Sequence, residues 1–124
     1  EQEVVFLTIS FENGCDYCMA AHSVLADMFS KVPKETTDAI RTGTTIPDAK
    51  LAALAGFTRH LLQTRGRPTA EAAQAFIRAG FTERQILEII LALAVKTLSN
   101  YSNHIFSTPV DDMFKDRLWT PPKA

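Results

Sequence analysis

Apolar residues recur at spacings of three and four along most of this chain, a period that predicts helices rather than strands. From about Pro47 to Arg65 the set Leu51, Leu54, Ala55, Thr58, Leu61 and Leu62 marks one helical face, which stops at Gly66. Thr69 opens a shorter helix over TAEAAQAFIRAG, ending at Gly80. Thr82 and Gln85 have the T-x-x-Q spacing of a capping box, in which each side chain satisfies a backbone N–H that the helix leaves unpaired. They precede a helix over about residues 83–107 that is apolar nearly all round between Ile86 and Leu98. Such a helix must be covered on several sides, by the core or by another subunit.

The first segment is ambiguous by local preference. Glu3 to Phe11 (EVVFLTISF) is rich in β-branched and aromatic residues, which favours a strand. Every later segment has helical period and no partner strand follows, so a helix closed by Asn13-Gly14 is the reading we adopt. A second helix is predicted from about Cys15 to Phe29, with Tyr17, Ala21, Val24, Leu25 and Met28 on its apolar side. Pro33 and Gly43 bracket a short amphipathic piece, PKETTDAIRTG. The tail from Pro109 to Ala124 is proline-punctuated, with Trp119 as its expected anchor. The fold class is therefore all-α. One echo recurs: Glu3 precedes Cys15 by twelve residues across an apolar run, and Glu88 precedes Asn100 in the same way, which suggests a duplicated helical-hairpin half.

With 124 residues the chain can bury one sizeable core, so residues 1–124 are read as one domain. It is 46% hydrophobic and 22% charged, an ordinary globular balance rather than a disordered one. The formal charge of -1 favours neither nucleic acid nor an anionic membrane as partner. The best apolar run, Ile86 to Leu98, is interrupted by Glu88 and Lys96 and is too short to span a bilayer. The N-terminal stretch lacks the basic start and cleavage pattern of a signal peptide, so a cytoplasmic setting is expected. The chain has no initiating Met and opens on what reads as the interior of an apolar segment, which leaves open whether residues precede Glu1.

Both cysteines of the chain lie in FENGCDYCMAAHS. At about 100° per residue, positions 15, 18 and 22 fall within roughly 60° of one another around a helix, so Cys15, Cys18 and His22 share a face. The sulfurs occupy the first turn, where unpaired N–H groups and the helix dipole stabilise a thiolate. The same spacing lets them close a short disulfide. His22, one turn beyond Cys18, is placed to take its proton directly or through a water. A carboxylate should orient that histidine, and Glu3 and Glu12 both remain candidates. A zinc site built from Cys15, Cys18, His22 and Glu3 is disfavoured, because structural zinc usually joins two separated ligand pairs. Haem attachment would need His where Met19 stands, and no βαβ pattern suggests a thioredoxin fold. His60 reads as a solvated residue beside Arg59, and His104, with Asn100 and Asn103, as packing or capping in preference to a site near the thiols. Arg59, Arg65 and Arg67 read as a solvated basic face, with attraction of an anionic partner as the alternative.

The run Glu3, then Cys15-Asp16-Tyr17-Cys18, then His22 matches the signature E-x11-C-x-x-C-x3-H. With GTTIPDAKLAALAGFTRHLLQTRGRPT and GFTERQILEIILALAVKTLSNYSNHI, it resembles the alkylhydroperoxidase AhpD-like family of the carboxymuconolactone decarboxylase superfamily over most of the chain. The resemblance implies an all-helical homo-oligomer, commonly a trimer or hexamer, with thiol peroxidase or disulfide reductase chemistry and no cofactor. It assigns Cys18 as the peroxidatic nucleophile and Cys15 as proton donor and resolving thiol. It makes His22 and Glu3 the proton relay, choosing Glu3 over Glu12. Founding members carry a histidine between the cysteines, where this chain has Tyr17. They are reduced by a lipoyl-bearing protein and in turn reduce a peroxiredoxin, so those are the partner classes implied. Two rival readings are a lactone decarboxylase that does not need the thiols and a non-catalytic oligomeric module that binds metal or senses redox state.

Overall fold

The computed structural model describes residues 1–122; Lys123 and Ala124, at the end of the expected tail and domain, lie outside the described residues. The order is α1 (Gln2–Glu12), α2 (Asp16–Met28), α3 (Lys34–Thr42), α4 (Ala49–Gln63), α5 (Ala70–Arg78), α6 (Glu83–Phe106) and a 3-10 segment (Asp112–Arg117). Among the described residues there is no strand, and the molecule is all-α.

The strand-like segment is the central helix. Val4, Leu7 and Ile9 of α1 are fully buried, and α1 packs against α2, α3, α4 and α6. A helix covered on most sides loses the alternation of apolar and polar positions, so β-branched composition here reflects burial rather than a pleated sheet. Its buried hydroxyl at Thr8 is satisfied within the helix by the Val4 carbonyl, 2.7 Å away. The remaining core comes largely from α4, α5 and the loop before α6, where Phe57, Phe76 and Phe81 stack with centroids 4.4 and 4.6 Å apart.

Helix ends follow local chemistry closely. Asp48 caps α4 by accepting from the Leu51 N–H, Thr69 caps α5 through the Ala72 N–H, and Thr82 and Gln85 form the complete capping box of α6. Gly43 closes α3 with φ of +72°, a left-handed conformation that suits glycine.

The structure differs from expectation at several places. Met28, assigned to the apolar side of α2, is 68% exposed in its last turn. The buried part of α2 is a broad arc of Cys18, Met19, Ala20, Ala21, Ser23, Val24 and Ala26, because α1, α3, α6 and the 3-10 segment all lie against it. His60 is half-buried rather than solvated, and its Nε2 accepts from the Thr69 N–H at 3.2 Å, so it braces the α4–α5 loop. Arg59 pairs with Glu12 at 2.7 Å, while Arg65 and Arg67 are exposed. The stretch from Glu88 to Asn100 lies within an uninterrupted α6, with no break like the one at Asn13-Gly14. Within this chain α6 is covered on one narrow face: Ile89, Lys96 and Asn100 are its buried residues.

Trp119 anchors the tail as expected. Its indole N–H donates to the Arg41 carbonyl at 2.8 Å and its ring meets Phe11 at 5.7 Å. Arg117 adds ion pairs to Asp27 and Asp38 at 3.0 and 2.8 Å, which strap the tail across α2 and α3. Among the described residues no helix is long and apolar enough to cross a membrane.

Candidate active site

The turn between α1 and α2 sets the position of the first sulfur. Gly14 is left-handed at φ of +68°, the Gly14 N–H bonds to the Phe11 carbonyl at 3.0 Å, and the Cys15 N–H bonds to the Ser10 carbonyl at 2.9 Å. This is a Schellman closure of α1, and it delivers Cys15 directly to the N-cap of α2. The Cys15 Sγ accepts from the Cys18 N–H at 3.4 Å, taking the place that a capping hydroxyl would fill. One residue thus ends one helix, starts the next and contacts its partner cysteine.

Both thiols are free and enclosed, with Cys15 fully buried and Cys18 3% exposed. They are not equivalent. Cys18 is drawn down to about 5, first by the hydrogen bond from the Cys15 thiol, with further help from the charge of Lys96 and the Asn103 amide, against the opposing effect of burial. Asn103 Nδ2 donates to Cys18 Sγ at 3.2 Å. Cys15 is pushed far above the ordinary thiol range, first by donating its proton to Cys18 and then by burial. The two shifts run in opposite directions, so Cys18 is the thiol that ionises first.

Glu3 and His22 meet as expected, Glu3 Oε2 lying 2.8 Å from His22 Nδ1. Glu12 is instead engaged by Arg59, so the choice the sequence left open falls to Glu3. His22 differs from expectation in its second contact. Its Nε2 faces Lys96 Nζ at 2.8 Å, and among the described residues it makes no hydrogen bond to either sulfur. The Phe6 ring packs on His22 at 5.1 Å and beneath Lys96 Nζ at 5.6 Å, shielding this contact. With both imidazole nitrogens so occupied, the four residues weighed as zinc ligands do not converge. Among the described residues no group of three or more His, Cys, Asp or Glu side chains is arranged to hold a metal ion.

Tyr17, standing between the cysteines, points away from them. Its hydroxyl donates to Asp111 Oδ2 at 2.6 Å and its ring meets Phe114 edge-on at 6.1 Å. The Asp111 carboxylate raises the phenol to about 12. Tyr17 thus clamps the tail. His104 is exposed near the end of α6.

Three residues from α6 join the site. Lys96 reads in the sequence only as an interruption of an apolar run, and for Asn100 and Asn103 the place near the thiols is the lesser alternative to packing or capping. Asn100 is fully buried, donating to Ser10 Oγ at 3.3 Å and accepting from Asn13 Nδ2 at 3.0 Å, which ties α6 to the turn that carries Cys15. The available signal was the spacing 96, 100, 103, which places three polar residues on one side of an otherwise apolar helix. No protein-family model matches this chain, and none of the curated proteins matches it either.

Proposed function

We propose that this protein is a cytoplasmic thiol-dependent peroxidase or disulfide oxidoreductase of the alkylhydroperoxidase AhpD-like kind, acting through Cys15 and Cys18. The observation that carries this reading is the geometry of the dithiol: Cys15 Sγ accepts from the Cys18 N–H at 3.4 Å, and Cys18 Sγ accepts from Asn103 Nδ2 at 3.2 Å. In that setting the Cys18 thiol is drawn down and the Cys15 thiol pushed up. A nucleophile and its resolving partner need that division of labour.

In the peroxidase direction, Cys18 thiolate attacks the terminal oxygen of a hydroperoxide and the O–O bond breaks. The sulfur is oxidised to the sulfenic acid, and the departing alkoxide takes the Cys15 proton to leave as the alcohol. Cys15, now a thiolate, attacks the Cys18 sulfur and the disulfide forms. The hydroxide released takes a proton that reaches it from solvent by way of the Glu3–His22 pair, and leaves as water. An external dithiol of the lipoyl type returns two electrons and re-protonates Cys15, releasing its second proton to solvent, which restores the starting state.

A homo-oligomer, of the trimeric or hexameric kind the resemblance implies, is part of the same proposal. It is supported by the large apolar side chains that α6 leaves exposed, among them Leu91, Leu98 and Ile105 at 65%, 74% and 75%.

The test is the intact mass of the reduced protein before and after one equivalent of an organic hydroperoxide. Rapid loss of about 2 Da, mapped to a Cys15–Cys18 link, is the expected result. An unchanged mass, with no exchange against a small dithiol and its disulfide, would overturn the reading.

A further inference from the structure

Lys96 is 4% exposed near the middle of α6, a position from which a four-carbon stem ordinarily carries its charge out to water. Here it turns inward. Among the described residues no Asp or Glu oxygen lies within ion-pair distance of its Nζ. Its close partners are the His22 Nε2 at 2.8 Å and the face of Phe6. A cation withdrawn from water without an anion nearby is unfavourable, and an apolar side chain of similar length would fill the same space at lower cost. His22 from α2 meets it directly, Glu3 from α1 lies beyond the imidazole, and the Lys96 charge acts on both cysteines of α2, lowering each. Glu3 and the Cys18 sulfur are the groups that can hold negative charge toward it.

We infer that Lys96 is a positioning residue: its ammonium is the buried counter-charge of the Cys18 thiolate, and by donating to His22 Nε2 it keeps the imidazole proton on Nδ1, against Glu3. The inference rests on the thiol chemistry proposed above and adds a residue to it. An ammonium can only donate, so the Nε2 that meets it must accept, and the ring's single proton then lies on Nδ1, 2.8 Å from Glu3 Oε2. Glu3, His22 and Lys96 form one directed chain with the ammonium at its α6 end. When Cys18 passes from thiolate to disulfide, Lys96 loses that anion and remains coupled, through the imidazole, to Glu3.

The experiment is a pH titration of Cys18 in the reduced full chain, followed by the ultraviolet absorbance of the thiolate, for the wild type and Lys96→Met. Methionine keeps the stem and removes the charge. The midpoint is expected to rise by about 1–3 pH units. A variant that remains folded, by circular dichroism, with a midpoint within a few tenths of the wild type would overturn the inference. The wild type gives a second, independent readout: nitrogen-15 shifts of the His22 ring should report a proton on Nδ1 with Nε2 bare. A proton on Nε2, or on both nitrogens, would overturn it whatever the variant does. Neither readout uses peroxide, so a peroxide-inert protein with a shifted midpoint removes the peroxidase reading alone. A flat titration in a protein that forms the disulfide removes the role of Lys96 alone.

Discussion

Cys18 is the sulfur of the pair that ionises first, and Cys15 is the main cause. Cys15 supplies a hydrogen bond to Cys18 that is the largest influence holding that thiolate, so its removal should be felt at the other sulfur. Cys15→Ala should raise the Cys18 titration midpoint above its value near 5, while Cys15→Ser, which keeps a donor, should raise it less. Equal midpoints in the two variants would count against the hydrogen bond as the cause. The same depression has a consequence for stability. Between the folded value of about 5 and the unfolded value near 8.5 the folded chain binds fewer protons at Cys18, so stability rises with pH there. That contribution is complete above the unfolded value and is lost as pH falls through about 5. Urea midpoints of the wild type should therefore fall more than those of Cys18→Ser on moving from pH 8 to pH 5. Tyr17→Phe is the contrasting case. It removes the hydroxyl that holds Asp111, with an expected loss of about 0.5–1.5 kcal/mol in urea unfolding, and should leave the Cys18 midpoint in place. A moved midpoint would show that Tyr17 acts on the thiols after all.

At the scale of elements, the caps account for what was legible. Thr82-x-x-Gln85, Thr69, Gly43 and Asn13-Gly14 each mark a helix end where the sequence predicts one, because capping depends on residues three or four apart and little else. Thr82→Ala should accordingly cost about 0.5–2 kcal/mol in chemical unfolding, and a loss below a few tenths would show that packing alone holds the start of α6. What the sequence hides is which face of each helix meets which neighbour. EVVFLTISF reads locally as a strand because its apolar residues serve four helical neighbours at once, information held by the rest of the chain. Cys15, Cys18 and His22 were visible because they lie within two turns of one helix. Lys96 reaches His22 and Asn103 reaches Cys18 from α6, more than seventy residues on, and only the packing of α6 against α1 and α2 brings them there.

For the molecule as a whole, α6 divides its labour between two opposite sides. Its polar, buried side carries Lys96 and Asn100 to the dithiol. About 160° round the helix lie Leu87, Leu91, Ala94, Leu98, Tyr101 and Ile105, all exposed. Their spacing of four, three, four, three and four is the alternation that lets one helix seat its side chains between those of another. A stripe of that period, left open along the whole helix, suits the α6 of a second copy, which would cover it with an identical stripe. The chain should therefore sediment as a homo-oligomer at micromolar concentration. Leu91→Glu with Leu98→Glu places two carboxylates in the seam and touches no buried residue, so it should lower the assembled mass while helicity and the Cys18 midpoint stay unchanged. A wild type that already sediments as a monomer would remove the oligomer from the proposal. A dissociated variant whose midpoint does move would mean that assembly presses α6, and with it Lys96 and Asn103, against α2, making the state of the thiols a property of the oligomer rather than of the single chain.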